Sequence, residues 1–352
     1  MKKGLLSLFF MALVFGSTFA QEADKDTTLV IAENQDAEIA YNRGIENFKN
    51  KQLQQAISDF TEAIQHKADF SKAYFNRGSV YVELNRVSEA ISDFDMAIQH
   101  DASFGNAYYS RGRAKQNSND NEGALSDFDN AINNGFKEAN VYYYRGVIKF
   151  QAGQYEDAKA DFSLAISADR QHAYAYNDRG SANRKLEKYD DAISDYKMAI
   201  SIDGKMAFTY NNLGSALRKK ENYKEAIDQF TNAIKQKSDY YMAYNNRGSA
   251  KYDMKDYEGA IKDFEEAIKI KSDYAYAYNN IGTAKMKLKD YEGAIKAFDK
   301  AISIDSNYGY AYMNRGNAKE MLRDAKGACA DWNKAAELNV NQASSFAEDC
   351  NF

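Results

Sequence analysis

Glycine recurs at a fixed interval of 34 residues, at Gly44, Gly78, Gly112, Gly146, Gly180, Gly214, Gly248, Gly282 and Gly316. An unbroken period of that length means one supersecondary unit stacked nine times, which excludes a fold built around a single closed core. Twelve residues after each glycine stands an alanine, from Ala56 to Ala328. Sixteen after it stands an aromatic: Phe60, Phe94, Phe128, Phe162, Tyr196, Phe230, Phe264, Phe298 and Trp332. Nineteen after it comes another alanine, Ala63 through Ala335. The offsets +9, +12, +13, +16, +19 and +20 form one stripe of an α-helix, the second helix of the unit. The first helix carries the glycine itself, preceded at four residues by tyrosine in every repeat but the first.

Glycine inside a helix costs about 0.5–1 kcal/mol against alanine, so its ninefold retention calls for a close approach between helices. The simplest partner is the alanine twelve residues on. Stability then comes from stacking neighbours, and the repeat array is expected to behave as one domain.

The pattern closely resembles the tetratricopeptide repeat over residues 37–342. The resemblance implies an all-α fold, a right-handed α-solenoid of nine tandem 34-residue helix-turn-helix repeats. The family often closes its second helix with proline, and this chain has none. Asp, Ser, Gly and Asn fill the joints instead, as in Lys237-Ser238-Asp239 and Asp305-Ser306-Asn307.

Met1-Lys2-Lys3, the apolar run Leu5 to Phe15 and Thr18-Phe19-Ala20 read as a signal peptide over residues 1–20, cleaved after Ala20. Residues 21–36 read as a leader to the first repeat, and the protein as exported to a periplasmic or extracellular location. The two cysteines, Cys329 and Cys350, both lie near the C-terminus. In an exported protein such a pair favours a disulfide, two buried free thiols being the alternative. Cys350 falls 34 residues after Gly316, in a truncated tenth unit at 343–352 that is expected to cap the stack. Gly327-Ala328-Cys329 with Asp331-Trp332 is similar to the closing segment of other exported bacterial tetratricopeptide proteins.

An ion pair is legible in the repeats. Arginine precedes the glycine at Arg43, Arg77, Arg111, Arg145, Arg179, Arg247 and Arg315, and aspartate follows at +15 in the same seven repeats, Asp59 to Asp331. Repeats six and eight lose both partners together, carrying Leu213 with Gln229 and Ile281 with Ala297. Loss in the same repeat predicts a bridge within the repeat, because removing one partner alone would strand a charge beside apolar packing.

A second stripe of the first helix, at offsets −6, −3, −2, +1, +4 and +5, lines the concave surface in the family. Two before the glycine stand Asn42, Asn76, Asn212, Asn246, Asn280 and Asn314, and three before it Asn177, Asn211, Asn245 and Asn279. The first four repeats carry Tyr41, Phe75, Tyr109 and Tyr143 at that latter position. A carboxamide offers donor and acceptor together and can pair with a peptide backbone without reading its sequence. Arg184, Lys185, Arg218 and Lys219 read as a basic patch suited to an acidic segment.

Catalysis finds no footing. His66, His100 and His172 are isolated, no nucleophile, phosphate-loop or Cys/His motif is present, and no metal or cofactor is expected. A net charge of −5 offers no basic excess for nucleic acid, and the signal peptide's apolar run, Leu5 to Phe15, is too short to span a membrane comfortably. The expected function is a non-catalytic scaffold holding an extended segment of another protein in its groove. The alternatives are a structural component of a cell-envelope assembly, or capture of a glycan or small ligand.

Overall fold

A computed structural model of the chain describes residues 35–348 and 350, so the expected signal peptide and nearly all of the leader lie outside the described residues. Contacts divide the chain into two compact units, with the division between Arg170 and Gln171. The first unit contains α1 (Gln35–Lys49), α2 (Leu53–His66), α3 (Ser71–Glu83), α4 (Val87–His100), α5 (Gly105–Asn117), α6 (Asn121–Asn133), α7 (Ala139–Gln151) and α8 (Tyr155–Ala168). The second contains α9 (Ala173–Lys185), α10 (Tyr189–Ile202), α11 (Ala207–Lys219), α12 (Tyr223–Gln236), α13 (Tyr241–Asp253) and α14 (Tyr257–Ile270). It continues with α15 (Ala275–Lys287), α16 (Tyr291–Ile304), α17 (Gly309–Met321), α18 (Ala325–Glu337) and the short α19 (Asn341–Glu348). No strand occurs among the described residues. Within each unit the two helices of a repeat pack together, and the second packs on the first helix of the repeat that follows.

The glycine meets a different partner from the one expected. A Cβ added at Gly146 would lie 2.9 Å from Cε1 of Phe162, and one at Gly180 2.9 Å from Cε1 of Tyr196. At Gly316 it would lie 2.6 Å from Nε1 of Trp332. The aromatic at +16 therefore occupies the space a side chain would need, and the +12 alanine flanks it, its carbonyl 3.0 Å from the added atom at Gly248. Magnitudes decide the choice: burying a large side chain stabilises by about 1.5–3 kcal/mol, more than the glycine costs the helix.

The turn inside each repeat is closed by a residue with positive φ, seven after the glycine. These are Lys51, Asn85, Asn119, Gly153, Glu187, Glu221, Lys255, Lys289 and Arg323. The next residue's N–H reaches back to close the turn, as from Gln52 to the Asn47 carbonyl at 2.8 Å and from Asp256 to Lys251 at 2.9 Å, a Schellman closure. Only repeat four places glycine there. The second helices of repeats three, seven, eight and nine start on an aspartate cap, with Asp256 accepting from the Gly259 N–H at 2.9 Å. The third residue is glycine in these four because a Cβ would strike that carboxylate. Joints between repeats use the anticipated polar residues, with Asp203 accepting from the Lys205 N–H at 3.0 Å and Asp305 from the Asn307 N–H at 2.9 Å.

The arginine and aspartate pair within the repeat, as their joint losses predicted. Arg77 donates Nε and Nη2 to the two oxygens of Asp93 at 2.8 and 2.7 Å. Arg247 does the same to Asp263 at 2.9 and 2.7 Å. Such two-point pairing fixes geometry as well as charge. The aspartates are buried, and Lys115, Lys149, Lys251 and Lys319 bring a second cation to theirs at 2.7–2.9 Å. Hydrogen bonding to Asp331, with burial opposing it, holds the Arg315 guanidinium above its usual range. The remaining Nη1 crosses to the preceding repeat: Arg77 to Thr61 at 3.0 Å, Arg145 to Asp129 at 2.6 Å, Arg315 to Asp299 at 2.6 Å. Arg77, Arg111, Arg145, Arg247 and Arg315 thus each join three helices, a reach the sequence reading did not anticipate. In repeat six Leu213 and Leu217, 2% and 3% exposed, take over with Tyr196 and Phe230.

At the C-terminus Cys329 and Cys350 form a disulfide, with Cα atoms 5.6 Å apart. The short α19 begins at Asn341 and ends at Glu348, so Cys350 stands beyond the helix, and the expected 343–352 segment is helical only in part. Phe346 stacks on Trp332 at 5.2 Å, and Ala343 is fully buried.

Two outcomes follow from these contacts. Arg145→Leu or Asp161→Gln alone is expected to destabilise by up to about 3–5 kcal/mol, with the double variant recovering most of the loss as it recreates repeat six. Denaturant unfolding of all four proteins checks this. Lys255→Gly is expected to raise the melting temperature, because removing a Cβ from the left-handed region relieves about 1–2 kcal/mol, more than the added chain entropy costs.

Candidate functional site on the first-helix face

The two asparagine rows turn out to be bonded to each other. In the second unit Asn212 Nδ2 donates to Asn177 Oδ1 at 3.2 Å and Asn246 to Asn211 at 2.9 Å. Asn280 donates to Asn245 at 2.9 Å and Asn314 to Asn279 at 3.0 Å. Each rung joins the −2 position of one repeat to the −3 position of the repeat before it. The first unit has one such rung, where Asn76 donates to the Tyr41 hydroxyl at 2.7 Å. Burial pushes that phenol up to about 12, against the lowering effect of the Asn76 bond. Phe75 offers no acceptor, and the residue that follows it one repeat on is Ser110, not asparagine.

The rungs divide the sequence-predicted residues into two groups. Asn177, Asn211, Asn245 and Asn279 are buried acceptors that hold repeats together, and Asn76 is buried with them. Asn212, Asn246, Asn280 and Asn314 are half-buried and give one N–H to the neighbouring repeat, which leaves Oδ1 and the second N–H toward the open face. Asn42 is exposed. The four basic residues do not make one free patch. Arg218 is bonded to Asp253 at 2.6 Å, and the Arg184 Nε is buried, while Lys185 and Lys219 are exposed. The Tyr196 hydroxyl, the one polar atom at its ring position outside repeat nine, meets Ser181 at 3.2 Å.

A hollow of about 370 Å³ opens on this face in repeats seven to nine, lined by Tyr252, Thr283, Met286, Asn314, Asn317 and Met321. These six, with Lys287, occupy offsets −2, +1, +4 and +5, the stripe singled out in the sequence, and Tyr291 and Phe298 of α16 complete the lining. Asn317 Oδ1 accepts from Trp332 Nε1 at 2.9 Å, so its NH2 group remains for a ligand. The two methionines give a polarizable floor that adapts to different side chains. Tyr276 and Tyr310, on the same stripe at −6, are 57% and 54% exposed, with Tyr308 5.0 Å from Tyr276. The methionines and these tyrosines were missed because the reading followed the −2 and −3 positions and, at +4 and +5, only the basic residues of repeats five and six. The stripe rule itself contains them.

Such a face exchanges hydrogen bonds and apolar contacts. The histidines serve local structure: His172 Nδ1 accepts from the Ala175 N–H at 3.1 Å, and His100 stacks on Tyr74 at 5.6 Å. Among the described residues no three His, Cys, Asp or Glu side chains group to hold a metal ion, and no helix is long and apolar enough to cross a membrane.

Consecutive helix hairpins, presenting a first-helix face within each unit, define a repeat protein of the α-solenoid class. Profiles of the tetratricopeptide repeat match residues 37–105, 139–172, 173–206, 209–240 and 275–308, and a TPR repeat profile matches 248–289. The chain belongs to the tetratricopeptide repeat family. Solved structures agree on the fold. The Cut9–Hcn1 hetero-tetramer of the APC/C aligns with a TM-score of 0.56 at 15% identity, covering 90% of this chain and 76% of that one. The C-terminal part of a TPR repeat-containing protein from Cytophaga hutchinsonii aligns at 0.56 and 19% identity, covering 69% and 99%. A tetratricopeptide repeat protein from Parabacteroides merdae aligns at 0.54 and 18%, covering 70% and 98%. A search of curated protein sequences gives no match.

Proposed function

We propose that the protein is a non-catalytic scaffold that holds an extended segment of a partner protein along the first-helix face of repeats five to nine. Tetratricopeptide repeats are protein–protein interaction modules, and this face has the chemistry for the task. The observation that carries the reading is the hollow lined by Met286, Met321 and Tyr252 beside Asn314, whose remaining amide valences point to the open side. Backbone amides of a bound strand pair with the half-buried asparagines, and one side chain enters the hollow. Rungs between repeats fix the amides before binding, so little ordering entropy is lost on association.

Met286→Glu with Met321→Glu touches no rung. It is expected to weaken partner binding by about tenfold or more at unchanged helicity. Calorimetric titration with the partner recovered by cross-linking checks this; undiminished affinity removes the groove from the function.

The protein acts outside the cytoplasm in this proposal. The Cys329–Cys350 disulfide supports it, because such bonds persist in oxidising compartments. N-terminal sequencing of protein recovered from the extracytoplasmic fraction is expected to start at Gln21. An intact Met1 on that protein contradicts the cleavage.

A further inference from the structure

Repeat eight loses the arginine–aspartate bridge as repeat six does, but the space is not refilled. In repeat six two leucines close it. In repeat eight the corresponding residues are Ile281 and Lys285, and the aspartate position holds Ala297. A hollow of about 450 Å³ remains, with Ile268, Ile281 and Ala297 as an apolar floor beside Tyr278. This tyrosine lacks the guanidinium that lies over its equivalents, as Arg247 lies 5.4 Å from the Tyr244 ring.

The rim is basic. Lys269, Lys285, Lys296 and Lys300 line it against one acid, Glu265. Lys269 is bonded to Glu266 and Lys285 to Asp290, whereas Lys296 and Lys300 are exposed and have no ion pair among the described residues. These two stand four apart on α16, one turn from each other, where like charges repel until an anion bridges them. The hollow uses offsets −4, −1, +3, +11, +14, +15 and +18 of repeat eight and +17, +20 and +21 of repeat seven, none of them on the stripe that carries the asparagines. It is a separate site.

We propose that this hollow docks an acidic segment of a partner protein that carries one aliphatic side chain. The aliphatic group covers Ile281 and Ala297, and flanking carboxylates pair with Lys296 and Lys300. Charge complementarity selects the flanks, and the apolar floor selects the anchor.

The probe is the synthetic peptide Glu-Glu-Leu-Glu-Glu, titrated into the full-length protein. Controls are the peptide with glutamine in place of glutamate and the peptide with glycine in place of leucine. Both controls are expected to bind about tenfold more weakly or worse. Lys296→Glu with Lys300→Glu is expected to abolish binding. Ile281→Arg with Ala297→Asp rebuilds the bridge of the other repeats, since Lys285 and Glu265 already stand where a second cation and a cross-repeat acceptor are needed. That variant is expected to melt no lower than the parent and to lose the peptide, which separates loss of the site from loss of the fold. Equal binding of the glutamine peptide, retention by the rebuilt variant, or displacement by inorganic phosphate at constant ionic strength overturns the proposal. The Met286→Glu and Met321→Glu variant is expected to bind the peptide unchanged; loss there moves the peptide to the first-helix face and likewise overturns it.

Discussion

The structure depends on one repeated close approach, an aromatic ring laid against a helix that has no side chain at that point. The ring at +16 takes the volume a Cβ would need at each glycine, and the surrounding alanines keep both helices near enough for the ring to be buried. Within a hairpin this contact sets the spacing. The charged bridges depend on that spacing, because a guanidinium meets both oxygens of a buried carboxylate only at one separation of the helices. Buried charge is costly, and the two partners are accordingly present together or absent together.

Hairpins alone do not make a stack, and two sets of polar contacts carry order from one repeat to the next. On one side the third donor of Arg77, Arg111, Arg145, Arg247 and Arg315 crosses to the preceding second helix, as from Arg145 to Asp129. On the other side the amide rungs join first helices, as from Asn280 to Asn245. The rungs have a functional consequence. They orient the half-buried asparagines while consuming only part of their hydrogen-bonding capacity, so the same side chains serve packing and recognition.

Much of this was legible in the residues, and the form of what was missed is instructive. The period gave the hairpins, and the joint loss of Arg and Asp in repeats six and eight gave the bridge because both partners lie in the same repeat. The rungs were hidden because their partners belong to different repeats: Asn280 must be read against Asn245, and Ser110 against Phe75, one period earlier. The glycine's partner was misassigned because +12 and +16 are both invariant in kind, and only packing tells an alanine from a ring. The left-handed turn residue leaves almost no trace, since lysine, glutamate, asparagine, arginine and glycine all occupy it under the tertiary constraint of the hairpin. At the face, the asparagines drew the reading to a chemistry that is half structural, while Met286 and Met321 on the same stripe went unremarked.

The central claim is that each repeat is locked by its own ring contact together with either the bridge or a close-packed apolar replacement, so repeat eight, which has neither, is locally weaker while its neighbours stay intact. Native-state hydrogen exchange resolves this helix by helix. The account predicts faster exchange for the amides of α15 in repeat eight than for those of α13 in repeat seven, both being internal to the second unit. Equal protection of the two helices would contradict it.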